Sequence, residues 1–257
     1  MNPRDTLVDL VAMSRRLAAP ELGYAILAEG NTSARAADDS LWIKASGVSL
    51  HGIKAGGFVE VLRDPILAAL EGPDLDDEAV RRCLEQARKD PRAPKPSVET
   101  FLHAWLLRLP DVRFIAHTHP TPLLGLLCTP RAEEFAGRRL FPDEIVCCGP
   151  ATCWIPYVDP GLPLGRELRD RVQAHIESHR GAPKILWLQN HGLFALGDTP
   201  ASVEAATHMA VKAAQVWLHA LGTGQEPVTL TPEQIERIHR RPDEHYRQGV
   251  LGVKRKA

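Results

Sequence analysis

Arg113-Phe114-Ile115-Ala116-His117-Thr118-His119-Pro120 is an apolar run that ends in two histidines one residue apart. Side chains at i and i+2 leave the same face of a strand. His117 and His119 are therefore expected to point together at the end of a strand that Pro120 stops. Two imidazoles converging from a rigid element are what a transition metal such as zinc requires of a protein. The rest of the chain has to supply a third ligand, a carboxylate and a pocket.

The segment before this strand offers the carboxylate. Pro91, Pro94 and Pro96 stiffen the approach to Ser97. Ser97 reads as the N-cap of a helix over 98–109, which buries Phe101, Leu102, Trp105, Leu106 and Leu109. Glu99 then sits in the first helical turn. Two readings stay open: an acidic residue complementing the helix dipole, or a carboxylate held at a rigid helix end and aimed at a site. His103, one turn on, reads as structural.

The third imidazole comes from further along. Lys184-Ile185-Leu186-Trp187-Leu188-Gln189 is a nearly continuous apolar run, hence a central strand. It meets Asn190-His191-Gly192, after which Leu193-Phe194-Ala195-Leu196 resumes extended chain. Asn-Gly alone would make that turn, so a histidine there is a better ligand candidate than the scattered ones. His175 and His179 lie four apart on a helix predicted over 164–179, which Gly181 ends. They form a second, exposed pair.

Elsewhere the pattern predicts a helix over 3–18, with Asn2 as cap and Pro3 at its first position. Residues 22–27 read as a strand running into a polar loop, Ala28-Glu29-Gly30-Asn31-Thr32-Ser33. Leu41-Trp42-Ile43-Lys44 reads as a strand running into Ala45-Ser46-Gly47, and Phe58-Val59-Glu60-Val61 as another. Loops of glycine and small hydroxyl residues expose N–H groups that suit an oxyanion, although ordinary hairpin turns look the same. A short helix capped by Asp76 or Asp77 ends near Asp90, and another covers 122–128. Residues 140–146, with the acidic pair Asp143 and Glu144, read as the approach to a further strand. Thr199 caps a long Ala-rich helix over 200–221, and Thr231-Pro232-Glu233-Gln234 has the pattern of a capping box.

Composition bounds the rest. The chain has 257 residues, 44% of them hydrophobic, and a formal net charge of −1. That is enough for one large domain, with no electrostatic reason to expect nucleic acid or a membrane surface as partner. No run approaches the ~20 apolar residues of a membrane span, and no signal peptide is evident. Five cysteines without paired C-x-x-C spacing read as reduced thiols, so a cytoplasmic location is expected.

Five motifs now stand in order: Gly30-Asn31-Thr32-Ser33-Ala34-Arg35, Ala45-Ser46-Gly47, Pro96-Ser97-Val98-Glu99, Ala116-His117-Thr118-His119 and Gln189-Asn190-His191-Gly192-Leu193. Each alone is modest. Together, over roughly residues 5–222, they resemble the class II aldolase/adducin family, which includes fuculose-phosphate and rhamnulose-phosphate aldolases and ribulose-phosphate 4-epimerase. The resemblance implies an α/β fold, a single-domain three-layer α/β/α sandwich around a mixed, largely antiparallel sheet. That domain is expected over 1–222, with a helical tail over 223–257 packing on it or on a neighbouring subunit. The resemblance also implies a homo-oligomer, a tetramer foremost, with sites at subunit boundaries.

Carried over by position, the resemblance makes His117, His119 and His191 metal ligands. Glu99 becomes both a ligand and the base, and Asn31, Ser46, Gly47 and Ser97 become the phosphate-binding loops. The cofactor implied is Zn2+, or another divalent transition metal such as Mn2+ or Co2+. The activity implied is a metal-dependent aldolase that cleaves a sugar-like hydroxy-ketone, or sugar phosphate, through a metal-stabilised enediolate. Epimerisation, decarboxylation and dehydration use the same kind of site. A non-catalytic, adducin-like interaction module is a third reading, opposed by the presence of all four ligands. Two departures stand out. Val98 takes the place of a second hydroxyl residue, which weakens the case for a phosphorylated substrate. The general acid has no clear position: Tyr246 in the tail and Glu144 from a neighbour are its two candidates.

Overall fold

The computed structural model describes residues 3–36 and 39–241. Among them seven strands form one sheet in the order β3-β2-β1-β4-β7-β6-β5. The strands are β1 (Asn31–Arg35), β2 (Ser40–Lys44), β3 (Phe58–Leu62), β4 (Phe114–Thr118), β5 (Cys153–Ile155), β6 (Ile185–Leu188) and β7 (Gly192–Gly197). All pairings are antiparallel except β5 with β6. The expected mixed, largely antiparallel sheet in a single α/β domain is thus observed.

Strand alternation builds two cores, one on each face. Phe114 and Ala116 of β4, with Leu193 and Ala195 of β7, face α1 (Pro3–Leu17), α5 (Thr121–Leu127) and α9 (Pro200–Gly222). Ile115, Phe194 and Leu196 face the other way. They pack against α2 (Arg63–Glu71), α4 (Thr100–Leu106) and α8 (Leu162–His179). The small residues explain how close α9 comes: Ala206, Ala210 and Ala214 are buried in the same core as Ala116 and Ala195. Thr199 and Ser202 form a reciprocal capping box at its start. α3 (Asp77–Gln86) is capped by Asp76, which accepts from the Ala79 N–H.

Four expectations about local structure are corrected. Residues 22–27 are not a strand. Pro20–Leu22 is a 3-10 turn, Gly23 is left-handed, and Ile26 and Leu27 face solvent. The strand is instead the polar segment after it, β1. Its side chains can be buried because each finds a partner: Thr32 meets Ser14 of α1 at 2.6 Å, and Ser33 meets His103 of α4 at 2.6 Å. Residues 140–146 do not approach a strand directly. Pro142 opens α7 (Pro142–Cys148), and the strand, β5, follows the left-handed Gly149. The helix expected over 98–109 covers only α4. Ser97 accepts from the Glu99 N–H at 3.3 Å and shapes the turn before the helix rather than capping it. Finally, α8 ends on Arg180 in the left-handed conformation, not on Gly181.

The first helix and the helices over 122–128 and 200–221 fall where the sequence places them, within a residue or two. Asn2, the proposed cap of the first, lies outside the described residues. After α9, Arg131 pairs with Glu226, and the Leu230 N–H donates to the Arg139 carbonyl. α10 (Pro232–His239) packs against α7. No helix of the described residues is long and apolar enough to cross a membrane.

Candidate metal centre

The centre forms where β1, β4 and β7 lie side by side and α4 begins. In the antiparallel register Asn31 stands opposite His117, and His117 opposite Phe194. Facing residues in such a pair share a side of the sheet, so His117 projects toward α4 and stacks on Phe194 with ring centroids 4.2 Å apart. His119 follows two residues on, its N–H bonded to the Tyr24 carbonyl at 2.8 Å. His191 enters from the β6–β7 turn, where Asn190 adopts φ 54° and so reverses the chain within two residues. Glu99 arrives from the residue before α4.

The three imidazoles converge through Nε2. His119 Nε2 is 2.9 Å from His117 Nε2, which is 3.2 Å from His191 Nε2. One Glu99 oxygen lies 3.4 Å from His117 Nε2 and the other 3.2 Å from His191 Nε2. The outer nitrogens set the tautomers. His117 Nδ1 donates to the Leu193 carbonyl at 3.0 Å, and His119 Nδ1 faces the Glu29 carboxylate at 3.4 Å. Both Nε2 atoms therefore present lone pairs. Burial and the neighbouring His117 and His191 push the His119 pKa down to about 3, so its ring is neutral at ordinary pH.

Lone pairs and a carboxylate packed this closely, with no proton between His117 and His119, repel one another unless a cation sits among them. Ligand atoms ~2.0–2.1 Å from a tetrahedral zinc stand roughly 3.3 Å apart, close to the spacings seen here. The cluster His117, His119 and His191 thus has the chemistry and the geometry to hold a divalent metal.

Glu99 is 7% exposed. Burial alone pushes its pKa up, but positive charge at His117 and His191, in their protonated forms, outweighs burial and holds the carboxyl well below the usual range; a cation held among the neutral imidazoles would act in the same sense. It is thus ionised and fit to meet a cation. Asn31 Nδ2 donates to Glu99 Oε2 and lies 3.4 Å from Ser97 Oγ, while Asn31 Oδ1 meets His103 Nε2. The carboxylate needs a donor, so the amide turns its NH2 toward Glu99 and its oxygen toward His103. His103 must then carry its proton on Nε2, and Ser33 donates to its Nδ1. Burial pushes the His103 pKa down to about 3, which keeps that ring neutral.

Ser46 and Gly47 are exposed. The Ser46 N–H donates to the Lys95 carbonyl at 2.8 Å, which sets this turn beside Ser97. Gly47 holds φ 75° there. The structure thus brings Asn31, Ser97, Glu99, His117, His119 and His191 together and sets Ser46 and Gly47 alongside. Glu144 is not brought to the histidines. It is 2% exposed, bonded to the Leu140 N–H at 2.8 Å and 3.6 Å from Arg139. Tyr246 lies outside the described residues. His175, half-buried, and His179, exposed, stack on each other at the end of α8, apart from this centre.

Three participants were not legible as such. His103 reads as a core residue, although its spacing of four from Glu99 on one helix was a signal. Lys44 is buried with its ammonium donating to the carbonyls of Ala28 and Val48, so it ties the loop before β1 to the one after β2. Glu29 reaches His119 only because that loop folds back.

Comparison with known proteins agrees with this geometry. A profile of the Class II Aldolase and Adducin N-terminal domain matches residues 8–218. The chain is 25% identical over 198 residues to the uncharacterized oxidoreductase YuxG of Bacillus subtilis, covering 74% of this chain but only 26% of that protein. It is 29% identical over 194 residues to methylthioribulose-1-phosphate dehydratase of Acidiphilium cryptum, covering 74% of this chain and 79% of that one. Among solved structures, the N-terminal class II aldolase domain of a conserved Thermoplasma acidophilum protein aligns with TM-score 0.65 at 28% identity, covering 82% of this chain and 92% of that one. L-fuculose-1-phosphate aldolase of Thermus thermophilus shares the fold, with TM-score 0.60 at 19% identity over 88% and 99% of the two chains. With the ordered motifs, the seven-stranded sheet and the histidine cluster in place, this chain belongs to the class II aldolase/adducin family.

Proposed function

We propose that this protein is a metal-dependent carbon–carbon lyase that cleaves a sugar-like hydroxy-ketone. The observation that carries the reading is Glu99, ionised and spread across the metal side of His117 and His191. A divalent ion, zinc foremost, would be held by His117, His119, His191 and Glu99. When bound it supplies a Lewis acid for the charge that develops on the substrate's carbonyl and adjacent hydroxyl oxygens.

The chain's own residues do the rest. Glu99 moves the proton at the reacting carbon, and its basicity rises once substrate takes its place at the centre. Asn31, fixed by His103, holds the carboxylate in position and so acts on the base. This differs from a part in phosphate binding. Ser46 and Gly47, exposed beside the buried Ser97, are proposed to meet a polar or anionic end of the substrate. Val98, 40% exposed beside Glu99, adds an apolar wall there. The acid that protonates the departing oxygen is proposed to be Tyr246. Glu144 of a neighbouring subunit is the other candidate, although in its own chain it is buried 3.6 Å from Arg139.

A second reading is dehydration, favoured by the similarity to the Acidiphilium cryptum dehydratase. Proton removal beside a carbonyl, followed by loss of a neighbouring hydroxyl, would use the same histidines and the same Glu99. Incubating the metal-loaded protein with a panel of keto-sugars and keto-sugar phosphates, with product analysis, separates the two. Aldehyde products support cleavage; products lighter by one water support dehydration. Glu99→Gln should keep the fold and lose turnover of whichever substrate is found. Full turnover by that variant would overturn the role of Glu99. Absence of bound metal under any loading condition would instead favour a non-catalytic module.

A further inference from the structure

We infer that Glu29 is the positioning carboxylate of the metal centre: it fixes His119 as a ligand by holding the proton on Nδ1. This rests on the metal reading above. The Glu29 side chain divides its two oxygens. Oε1 accepts from the Ile26 N–H at 2.6 Å, and Oε2 faces His119 Nδ1 at 3.4 Å. The first bond closes the loop on itself, and the second turns that closure toward the ligand.

The loop is built to keep Glu29 there. The Glu29 N–H returns a bond to the Ile26 carbonyl at 3.1 Å, around Leu27 at φ 55°. Lys44 grips the Ala28 carbonyl at 2.7 Å from beneath. Gly30, at φ 65°, passes so close to β4 that a Cβ would lie 2.7 Å from the His117 carbonyl. Only glycine lets the chain run this near to the strand that carries the ligands. At the other side the His119 N–H is tied to the Tyr24 carbonyl. Both partners of the Glu29–His119 contact are therefore anchored by their own backbones.

The two ligands of β4 differ in their outer partners. His117 leans on a neutral carbonyl, that of Leu193, and His119 on a carboxylate. A carboxylate behind a ligating imidazole fixes its tautomer and makes the inner nitrogen a stronger donor to metal. Without it, nothing selects the Nδ1–H form of His119.

Two variants separate this role from simple loop closure. In Glu29→Gln the side chain has one acceptor oxygen. If that oxygen keeps the Ile26 bond, the amide NH2 faces His119 Nδ1 and drives the proton to Nε2, where it blocks the metal. Glu29→Ala removes both bonds but lets water serve Nδ1. Zinc affinity, measured by competition with a chromogenic chelator, should fall by at least about tenfold in Glu29→Gln and by less in Glu29→Ala. Two-bond 1H–15N spectra of the metal-free proteins should show His119 protonated on Nδ1 in wild type and on Nε2 in Glu29→Gln. If Glu29→Gln binds zinc as tightly as wild type, or only Glu29→Ala loses affinity, the carboxylate merely shapes the loop and the inference is overturned. Failure of wild type itself to bind zinc would overturn the metal reading along with it.

Discussion

Glu99 is held from three directions, by His117, His191 and Asn31. The last of these holds is the most exposed to substitution. Asn31→Leu would leave the His103 Nε2 proton buried without an acceptor and take the donor from Glu99. Leaving one buried polar group unsatisfied costs about 1–3 kcal/mol, so urea denaturation should show a loss of that size or more. If stability is unchanged, the chain from Ser33 through His103 to Glu99 is not what fixes the carboxylate. His119→Ala removes one of three imidazole ligands and should abolish retained zinc by elemental analysis while leaving the far-ultraviolet circular dichroism unchanged.

At the scale of elements, the site depends on how closely β4 and β7 run together. A Cβ on Gly192 would lie 2.6 Å from the Thr118 carbonyl and 2.7 Å from His119 Cδ2. Gly192→Ala must therefore spread the strands or turn His119. Overpacking of this kind costs about 1–3 kcal/mol, and zinc affinity should fall with it. Thr199→Ala offers the contrast. It removes the cap of α9, for about 0.5–2 kcal/mol, from a helix that contributes no ligand. Stability should drop while zinc affinity holds. A parallel loss of zinc would mean that α9 sets the ligand geometry through the sheet.

For the whole molecule, burial makes metal-free stability depend on pH. His103 and His175 are pushed from 6.5 down to about 3 and about 4, mainly by burial. The unfolded chain takes up these protons first. Stability is therefore full above about pH 6.5 and declines as pH falls, by at most about 1.4 kcal/mol per pH unit for each group. Glu144, raised by burial, works in the opposite sense. His119, also held down to about 3, acts in the same sense, and three histidines against one carboxyl give a net loss, which urea titrations at pH 7 and pH 5 in the presence of chelator would register. A flat profile would contradict it. Adding zinc should raise the unfolding midpoint, since a ligand at 100 times its dissociation constant stabilises by about 2.7 kcal/mol. His119→Ala should remove that gain.

Local sequence rules were enough to single out the three histidines of the candidate metal centre. His117 and His119 share a face through the strand period alone, and His191 stands out in a turn that had no need of it. The long elements were legible too, because α8 and α9 carry apolar stripes, and α9 a capping box, that are local properties of the chain. The polar segments were set by packing that no local rule foresees. Asn31-Thr32-Ser33 looks like a loop to any local rule, and becomes a buried strand because Ser14, His103 and Glu99 wait on its two faces. Residues 22–27 look like a strand and are not one, since Gly23 turns the chain and Ile26 closes a loop on Glu29 instead. Glu29 is the sharpest case: no spacing links it to His119, 90 residues away, until Gly30 lets the loop close over β4.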